Sequence, residues 1–351
     1  MDVELTVRVL VVNAGSSSLK LRLLGADDAV EATADVSDTD DIAATLRSWP
    51  RPDAVGHRVV HGGAEFTSPV LVDARVKAAL HDLVELAPLH QPKSLAGLDA
   101  VQDVLPDVPA VACFDTAFHS TIPSYASTYA LPSAWRERYA IRRYGFHGLS
   151  HAYCAKKAGA YGSRVVSCHL GAGASVTAIV DGKSVDTTMG FTPLEGLVMA
   201  TRSGSVDPGL VLWLAERMPI DEVTNALEKE SGLLGLAGTA DMREIEAALD
   251  DDPRARLAFD VYIHRLAGCV AAMTTAAGGL DVLAFTGGVG ENSAAVRTAV
   301  AARLDHLGVR VTGAAEFDIT APGAPVRTLV VPSREDLEIA AGVRTVHLGH
   351  R

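Results

Sequence analysis

A hydroxyl-rich loop near the N-terminus offers the first groups that could hold a phosphate. Apolar runs over residues 7–12 and 19–24 predict two strands on either side of it. Its polar side chains belong to Asn13, Ser16, Ser17, Ser18 and Lys20. Such side chains, together with backbone N–H groups, suit an anionic ligand. The G-x-x-x-x-G-K-[ST] spacing of a Walker loop is absent, and an ordinary polar turn is the alternative interpretation.

Two further glycine loops follow strand-like runs. Residues 171–175 follow the run 165–170, and residues 287–292 follow the run 281–285 and precede a predicted helix. Glycine lets the backbone approach a ligand closely, and a helix N-terminus attracts anions. A purely structural strand-to-helix turn also needs glycine. Three such loops in one chain nevertheless favour a nucleotide ligand.

The order of these elements predicts two related domains. Both halves of the chain begin with a strand, a polar glycine-containing loop and a second strand. At 351 residues the chain also exceeds the size that one hydrophobic core usually supports. We therefore expect two domains, each with a phosphate-binding loop, and a nucleotide in the cleft between them.

Composition excludes several classes of function. A formal charge of -12 without a basic stripe argues against nucleic acid as a partner. The four cysteines form no C-x-x-C pair, which is typical of reduced thiols rather than of a disulfide framework or zinc cluster. The N-terminus lacks a basic signal region, and the longest charge-free run, residues 266–280, is too short for a membrane span. The sequence predicts a soluble cytoplasmic protein without a membrane partner.

Two histidine pairs raise an alternative chemistry. His57 and His61 are four residues apart, as are His147 and His151, and this spacing could place each pair on one face for a metal. A metallohydrolase is therefore one alternative. No H-E-x-x-H core or suitably spaced carboxylate accompanies either pair, which counts against it.

Six long stretches of the chain resemble the acetate kinase family. They read NAGSSSLK, GHRVVHGG, FDTAFH, RYGFHGLSH, GFTPLEGLVMATRSGSVDPG and FTGGVGEN, and SREDLEIA follows near the end. The resemblance implies an α/β fold of two duplicated actin-like ATPase (ribonuclease H-like) domains with an interdomain cleft. It places the N-terminal domain at residues 1–148 plus 334–351 and the C-terminal domain at residues 149–333.

The resemblance also implies an activity. It is the reversible, magnesium-dependent, in-line transfer of the ATP γ-phosphate to acetate, giving acetyl phosphate and ADP, with Mn²⁺ as a possible substitute metal. Propionate or butyrate kinase is the alternative within this class, and a nucleotide switch on the same fold is the alternative outside it. Family members are commonly homodimers, so a homodimer is expected.

Four residues correspond to the catalytic residues of the family. The resemblance gives Arg58 and Arg202 roles in binding the substrate and the transferring group, which suits the planar fork of arginine. It makes Asp115 the aspartate that orients the acceptor or helps place magnesium, and His147 a donor to the phosphoryl oxygens. A structural ion pair is the alternative for either arginine, and a helix N-cap is the alternative for Asp115.

The remaining site residues also come from the resemblance. The acyl pocket is assigned to Val60, Leu89, Phe146 and Pro193. Because one methylene in such a pocket is worth only about 1 to 3 kcal/mol, the sequence does not separate acetate from propionate. Asn13 and Glu335 are the expected magnesium ligands. Nucleotide binding is assigned to Asn13, Ser16, Ser18, Lys20, His169, Gly171, Gly173, Asp241, Arg243, Gly287, Gly288, Gly290 and Asn292.

One departure from the family lies in the second glycine loop. Ala172 stands where the family commonly has asparagine. The change removes one amide that could contact a phosphate, while the backbone N–H groups remain. The sequence therefore leaves the preferred phosphoryl donor open.

Overall fold

The structure of the chain, a computed structural model, describes residues 7–14, 19–36, 40–87, 91–313 and 316–349. Three of the predicted site residues lie outside these ranges, namely Ser16, Ser18 and Leu89. Within the described part of the chain, no helix combines the length and the apolar character needed to cross a bilayer.

The chain forms two compact units. Unit 1 contains Met1–Ser120 and Arg334–Arg351, and unit 2 contains Thr121–Ser333. These units differ from the predicted domains by residues 121–148, which belong to unit 2. The Arg143 side chain shows why, because it donates to the carbonyl oxygens of Thr188 and Met189 at 3.2 and 3.0 Å.

Unit 1 is built on a six-stranded sheet. The first three strands form an antiparallel meander, and two later strands join the first one in parallel. The strand order is β3-β2-β1-β4-β6-β5. The strands are β1 (Val9–Ala14), β2 (Leu19–Leu24), β3 (Val30–Val36), β4 (Ala54–Val59), β5 (Val70–Leu71) and β6 (Ala110–Phe114). The helices are α1 (Asp40–Arg47), α2 (Ala74–Asp82), α3 (Gln91–Val104) and α14 (Glu335–Gly349).

Helices cover both faces of this sheet, as expected for parallel strands. On one face, Val55 of β4 packs in a cluster with Leu10 and Ile42. The next residue, Gly56, faces α14 on the other side, where a Cβ would lie 2.4 Å from Cγ2 of Ile339. The close approach of α14 to β4 therefore requires glycine at this position. It also holds the first residues of α14 near the sheet.

Unit 2 repeats the same topology. Its five strands have the order β11-β10-β7-β8-β9, with β7, β8 and β9 as the antiparallel meander and with β10 and β11 added in parallel. The predicted pair of strands is thus confirmed in both units, with residues 171–173 between the strands in unit 2, whereas residues 15–18 of the first loop lie outside the described residues. The strands are β7 (Arg164–Leu170), β8 (Ala174–Val180), β9 (Lys183–Thr187), β10 (Val282–Thr286) and β11 (Arg327–Val330).

Ten helices of the described chain belong to unit 2, and the longest is the buried α11. They are α4 (Ser124–Ser127), α5 (Ser133–Arg138), α6 (Gly148–Ala158), α7 (Pro208–Ala215), α8 (Ile220–Asn225), α9 (Gly232–Ala237), α10 (Met242–Ala247), α11 (Pro253–Ala276), α12 (Gly287–Asn292) and α13 (Ala294–Arg303).

The structure changes one sequence interpretation. Residues 287–292, expected to be a glycine loop, form the short helix α12 directly after β10. The predicted helix beyond them is present as α13, and the Ser293 hydroxyl caps it by accepting from the N–H of Val296 at 2.9 Å. Helix α2 is capped in the same way, since Asp73 accepts from the N–H of Val76 at 2.7 Å.

Candidate functional sites

Four predicted polar residues meet at one edge of the unit 1 sheet. Asn13 lies near the end of β1, Arg58 near the end of β4, and Asp115 directly after β6. These strands are parallel neighbours, so their carboxyl ends share one edge, where α/β folds commonly bind ligands. Glu335 reaches the same edge as the first residue of α14.

The guanidinium of Arg58 is the centre of this cluster. Its Nη2 lies 2.6 Å from Oδ2 of Asp115, and its Nε lies 3.1 Å from both carboxylate oxygens. Its Nη1 donates to Oδ1 of Asn13 at 3.1 Å. Nδ2 of Asn13 donates in turn to Oε2 of Glu335 at 2.9 Å, and that oxygen lies 3.7 Å from Nε of Arg58.

Burial makes the charges of this cluster strongly dependent on one another. The Asp115 side chain is 1% exposed and that of Arg58 is 16% exposed. Burial raises the pKa of Asp115, and the adjacent guanidinium opposes that rise. For Arg58, burial alone would lower the pKa, but the carboxylates of Asp115 and Glu335 outweigh it and raise the pKa. One cation and two carboxylates leave the cluster able to accept further positive charge.

The structure bears differently on the N-cap alternative for Asp115 and on the ion-pair alternative for Arg58. The described hydrogen bonds of the Asp115 carboxylate go to Arg58 and not to a helix N-terminus. The alternative of an ion pair for Arg58 fits the geometry, because that pair is present. Of the other predicted residues in unit 1, Val60 is buried and Lys20 is exposed opposite Asn13 in the β1–β2 ladder.

Three histidines of unit 2 lie together beside the second glycine loop. The rings of His147 and His169 stack with centroids 4.3 Å apart, and His151 meets His169 edge-on at 6.3 Å. Nδ1 of His147 lies 3.0 Å from the Ser175 hydroxyl, and Nδ1 of His169 lies 2.8 Å from the Ser150 hydroxyl. The partners of these rings are hydroxyl groups of neighbouring strand and helix residues.

The metal-site interpretation of the histidine pairs receives no support. Across the described ranges, no group of three or more His, Cys, Asp or Glu residues is placed to hold a metal ion. His57 lies in β4, where desolvation by burial lowers its pKa to about 3. His151 uses both ring nitrogens for serine hydroxyls.

Arg202 lies near His147 in unit 2. A Cβ at Gly173 would lie 3.2 Å from Nε2 of His147 and 3.6 Å from Nη1 of Arg202, so both side chains flank the second glycine loop. Nη1 of Arg202 also lies 3.5 Å from the carbonyl oxygen of Pro193. Burial lowers the pKa of Arg202, with a smaller opposing effect from Glu228. The structure thus places two predicted donors beside a predicted phosphate loop.

A cavity of about 770 Å³ in unit 2 brings together five predicted nucleotide-binding residues. They are Gly171, Asp241, Arg243, Gly288 and Asn292. Ala172, Val289, Met242 and Tyr262 add apolar surface and a phenol ring. Asp241 caps α10 and pairs with Arg243, and these bonds hold the pKa of Asp241 at about 2. The mixed lining suits a flat heteroaromatic ligand with polar edges.

Two predicted glycines have structural reasons of their own. Gly287 has φ +80°, and a Cβ there would lie 2.8 Å from the carbonyl oxygen of Leu170. Gly290 is buried against β10, whereas Gly288 has open space around it and lines the cavity. Gly288 is therefore the glycine of this helix that borders the candidate ligand site.

Sequence reasoning missed the residues that hold α12 in place. Oε1 of Glu291 accepts from the backbone N–H groups of Gly287 and Ser333 at 3.0 and 2.9 Å. The buried Arg297 donates to the carbonyl oxygens of Gly290 and Glu291 at 2.9 and 2.8 Å. Glu291 lies inside the FTGGVGEN stretch, so its position in that motif was the available signal.

A second missed group supports the segment that carries Pro193. Arg143 pairs with Glu195 at 2.8 Å, and the Tyr129 hydroxyl also bonds to Glu195. The Tyr129 hydroxyl accepts from the N–H of Phe191 at 2.9 Å. Arg143 and Glu195 lie in two of the motifs that carry the resemblance. The two remaining acyl-pocket residues of unit 2 are close to these anchors in sequence, with Phe146 shortly after Arg143 and Pro193 shortly before Glu195.

The fold and the two sites together define a class of protein. Two α/β units share one topology, unit 1 carries a partly buried cationic and acidic cluster, and unit 2 carries donors and a cavity beside glycine turns. These features are typical of a protein that binds anionic ligands and nucleotides.

Known proteins that resemble this chain identify its family. A sequence profile described as the Acetokinase family matches residues 44–341. The acetate kinase of Methanosarcina acetivorans is 40% identical over 97% of this chain and 97% of that protein. The structure of a propionate kinase from Francisella tularensis has TM-score 0.90 at 36% identity, and that of Porphyromonas gingivalis acetate kinase has TM-score 0.88 at 35% identity. Each covers 97% of this chain and 100% of the other. The chain belongs to the acetokinase family.

Proposed function

We propose that this protein is an acetate kinase that transfers the γ-phosphate of ATP to acetate, reversibly, giving acetyl phosphate and ADP. Relatives named acetate kinase support it, at 40% identity over 97% of both chains in the case of Methanosarcina acetivorans. The structural observation that carries the proposal is the partly buried cluster of Arg58, Asp115, Glu335 and Asn13. It combines a guanidinium fork for an anion with carboxylates for a cation.

The chemistry asks for charge stabilisation rather than for a base. A carboxylate oxygen of acetate attacks the γ-phosphorus, the bond from that phosphorus to the bridging oxygen breaks, and ADP leaves with the electron pair. Acetate has no proton to lose, so Asp115 is assigned to orientation. Its contacts support this role, because a carboxylate forked by Arg58 fixes the guanidinium in one direction.

Magnesium fits the donor set of unit 1. Mg²⁺ in phosphoryl transfer is commonly held by one or two carboxylates together with nucleotide phosphates and water. Glu335 provides the carboxylate, and the Oδ1 atom of Asn13 has a second lone pair beside the one used by Arg58. When bound, the ion neutralises charge on the phosphate oxygens. Mn²⁺ is an acceptable substitute for the same oxygen ligands.

Unit 2 supplies the nucleotide site and phosphoryl donors in this proposal. The cavity lined by Asp241, Arg243, Gly288 and Asn292 takes the adenosine part of ATP. Arg202 and His147, which flank Gly173, donate to phosphate oxygens. Such donors lower the barrier when they point to where negative charge develops. His169, which is also assigned to nucleotide binding, stacks on His147 beside the same loop.

Acceptor size is the open question within this class, because a solved relative is named a propionate kinase. Val60, Phe146 and Pro193 are the proposed acyl contacts. The deciding experiment measures kcat/KM for formate, acetate, propionate and butyrate with ATP and magnesium. We expect acetate to have the highest kcat/KM, and propionate to follow by a factor within the roughly 10 to 200 that one methylene allows. A higher value for propionate would reassign the protein to propionate.

We also propose that the protein acts as a homodimer and, because ATP is its substrate, in the cytoplasm. Support for the dimer comes from α7 and the start of α8. No residue of α7 is buried, and the side chains of Leu210, Leu212, Trp213 and Ile220 are 46% to 69% exposed. Apolar surface of this kind is typical of subunit interfaces. Light scattering after chromatography is expected to give twice the chain mass of 36.7 kDa, and a monomer mass would contradict the proposal.

A further inference from the structure

A buried histidine behind His147 has no role in the mechanism proposed above. His151 is completely buried in α6. Its Nδ1 lies 2.9 Å from the Ser167 hydroxyl, and its Nε2 lies 2.7 Å from the Ser175 hydroxyl. The Ser175 oxygen also lies 3.0 Å from Nδ1 of His147. One serine hydroxyl therefore joins two imidazole rings, one buried and one beside the phosphate loop.

The His147 ring is held with its other nitrogen toward that loop. His147 precedes α6 with a left-handed backbone, φ 56° and ψ 24°, which few residues other than glycine adopt. Its ring stacks on His169. On the far edge, Nε2 is 3.2 Å from the position that a Cβ would take at Gly173. Nδ1 thus meets Ser175 while Nε2 faces the loop.

Counting hydrogens links the tautomers of the two rings. A serine hydroxyl has one hydrogen to donate and two lone pairs. If Ser175 donates to Nδ1 of His147, the neutral ring carries its proton on Nε2 and can donate toward the loop. Ser175 then accepts from Nε2–H of His151, and Nδ1 of His151 accepts from the Ser167 hydroxyl. If Ser175 instead donated to Nε2 of His151, it would accept from Nδ1–H of His147. The Nε2 atom of His147 would then present a lone pair, and not a proton, to an anionic ligand.

We propose that Ser175 and His151 are positioning residues that keep His147 in the tautomer with its proton on Nε2. The inference rests on the proposed function, because it assigns the Nε2–H group to a phosphoryl oxygen. Partners behind a functional imidazole commonly fix its tautomer and orientation in this way. Here the Ser175 hydroxyl, which lies between two histidines, performs this task. Both Ser175 and Ser167 are fully buried.

The tautomer can be measured without any substrate. In the full-length protein with ¹⁵N-labelled histidine, long-range proton–nitrogen correlation spectra distinguish protonated from unprotonated ring nitrogens. The His147 signals are those that disappear in His147→Gln. At a pH where the ring is neutral, we expect Nε2 to be protonated and Nδ1 not. A ring protonated on Nδ1 would overturn the proposal, whether or not the protein phosphorylates acetate.

Kinetics provides the second readout. Ser175→Ala is expected to lower kcat about 10-fold, the lower end of the effect of losing such a partner, while KM for acetate and ATP changes less than about twofold. Thr177→Val is the matched control. Thr177 is equally buried two residues further along β8, but its hydroxyl bonds to that of Thr187 at 2.8 Å. Equal kcat in the two variants would remove Ser175 from the mechanism.

A pair of substitutions at His151 separates positioning from packing. His151→Gln keeps an amide N–H that can donate to Ser175, whereas His151→Leu fills space without a donor. We expect the glutamine variant to retain most of the wild-type kcat and the leucine variant to match Ser175→Ala. Equal activity in both would contradict the proposal. If the wild type forms no acetyl phosphate, the proposed function fails, and the His147 tautomer still decides this inference.

Discussion

Removal of the Arg58 guanidinium tests whether the cluster in unit 1 is a coupled, buried unit. Arg58→Ala deletes three bonds of 2.6 to 3.1 Å to Asp115 and leaves that carboxylate, 1% exposed, without its cation. Breaking a buried ion pair on one side typically costs about 3 to 5 kcal/mol. Because the Arg58 side chain is 16% exposed, we expect the lower part of that range, about 3 kcal/mol.

Tryptophan fluorescence can report on unit 1 alone. The chain has three tryptophans, and Trp49 packs against the unit 1 core. The other two, Trp135 and Trp213, lie in unit 2 and outside the unit 1 core, so replacing both with phenylalanine leaves Trp49 as the single tryptophan and the Arg58 comparison is made within that background. In that background, urea unfolding followed through Trp49 measures the loss caused by Arg58→Ala. Arg75→Ala, which breaks an exposed pair with Glu65, is the control and should change the free energy of unfolding far less, because solvent screens an exposed ion pair.

The difference in unfolding free energy between the wild type and Arg58→Ala should depend on pH. Without Arg58, burial raises the pKa of Asp115 further, so its folded pKa exceeds the unfolded one. Such a group destabilises the fold at neutral pH, and the penalty disappears as the pH falls through the raised pKa. The stability gap between wild type and Arg58→Ala should therefore narrow on acidification. A loss no larger than that of Arg75→Ala, or a gap that widens toward low pH, would refute the reasoning.

Three further predictions concern both units. Arg202→Ala should lower kcat by about 10²- to 10³-fold, as removal of a transition-state donor does, and should leave the urea unfolding midpoint unchanged. A near-normal kcat in steady-state assays would exclude Arg202 from the mechanism. Burial lowers the pKa of His57 to about 3 in the folded protein, against an ordinary value of 6.5 in the unfolded chain. Below pH 6.5 the unfolded chain therefore binds the proton first, and the free energy of unfolding should fall by about 1.36 kcal/mol per pH unit. His57→Gln should flatten that slope in urea titrations. Gly56→Ala should destabilise unit 1 by about 1 to 3 kcal/mol, because its Cβ would overlap Ile339; an unchanged urea midpoint would show that α14 can move away.

Most of the fold could be predicted from local patterns. The run at residues 9–12 is buried on both faces, so its apolar continuity correctly indicated an interior strand. The run at residues 282–285 is likewise fully buried, and β10 is present there as an interior strand between β7 and β11. The stretch at residues 287–292 misled the prediction because its glycines indicated a loop. Glu291 and Arg297 bind the backbone at both ends of that stretch, and these tertiary contacts allow a helix there.

The residues of this site could be predicted from the resemblance, and the fold gives the physical reason why they meet. Strand order brings Asn13, Arg58 and Asp115 together, because adjacent parallel strands place their ends at one edge regardless of distance along the chain, and the start of α14 adds Glu335. The support of that site by other side chains was not predictable from spacing. Arg143 reaches Glu195, and His151 reaches Ser175, only because strands and helices of unit 2 pack as they do.

Phosphorus NMR of a reaction mixture tests the central claim most directly. The wild-type protein is incubated with ATP, magnesium and acetate, and a second sample omits acetate. We predict an acetyl phosphate resonance that grows in equal amount with ADP in the first sample, and neither product in the second. ADP that accumulates at the same rate without acetate, with no acetyl phosphate in either sample, would contradict the assignment of this protein as an acetate kinase.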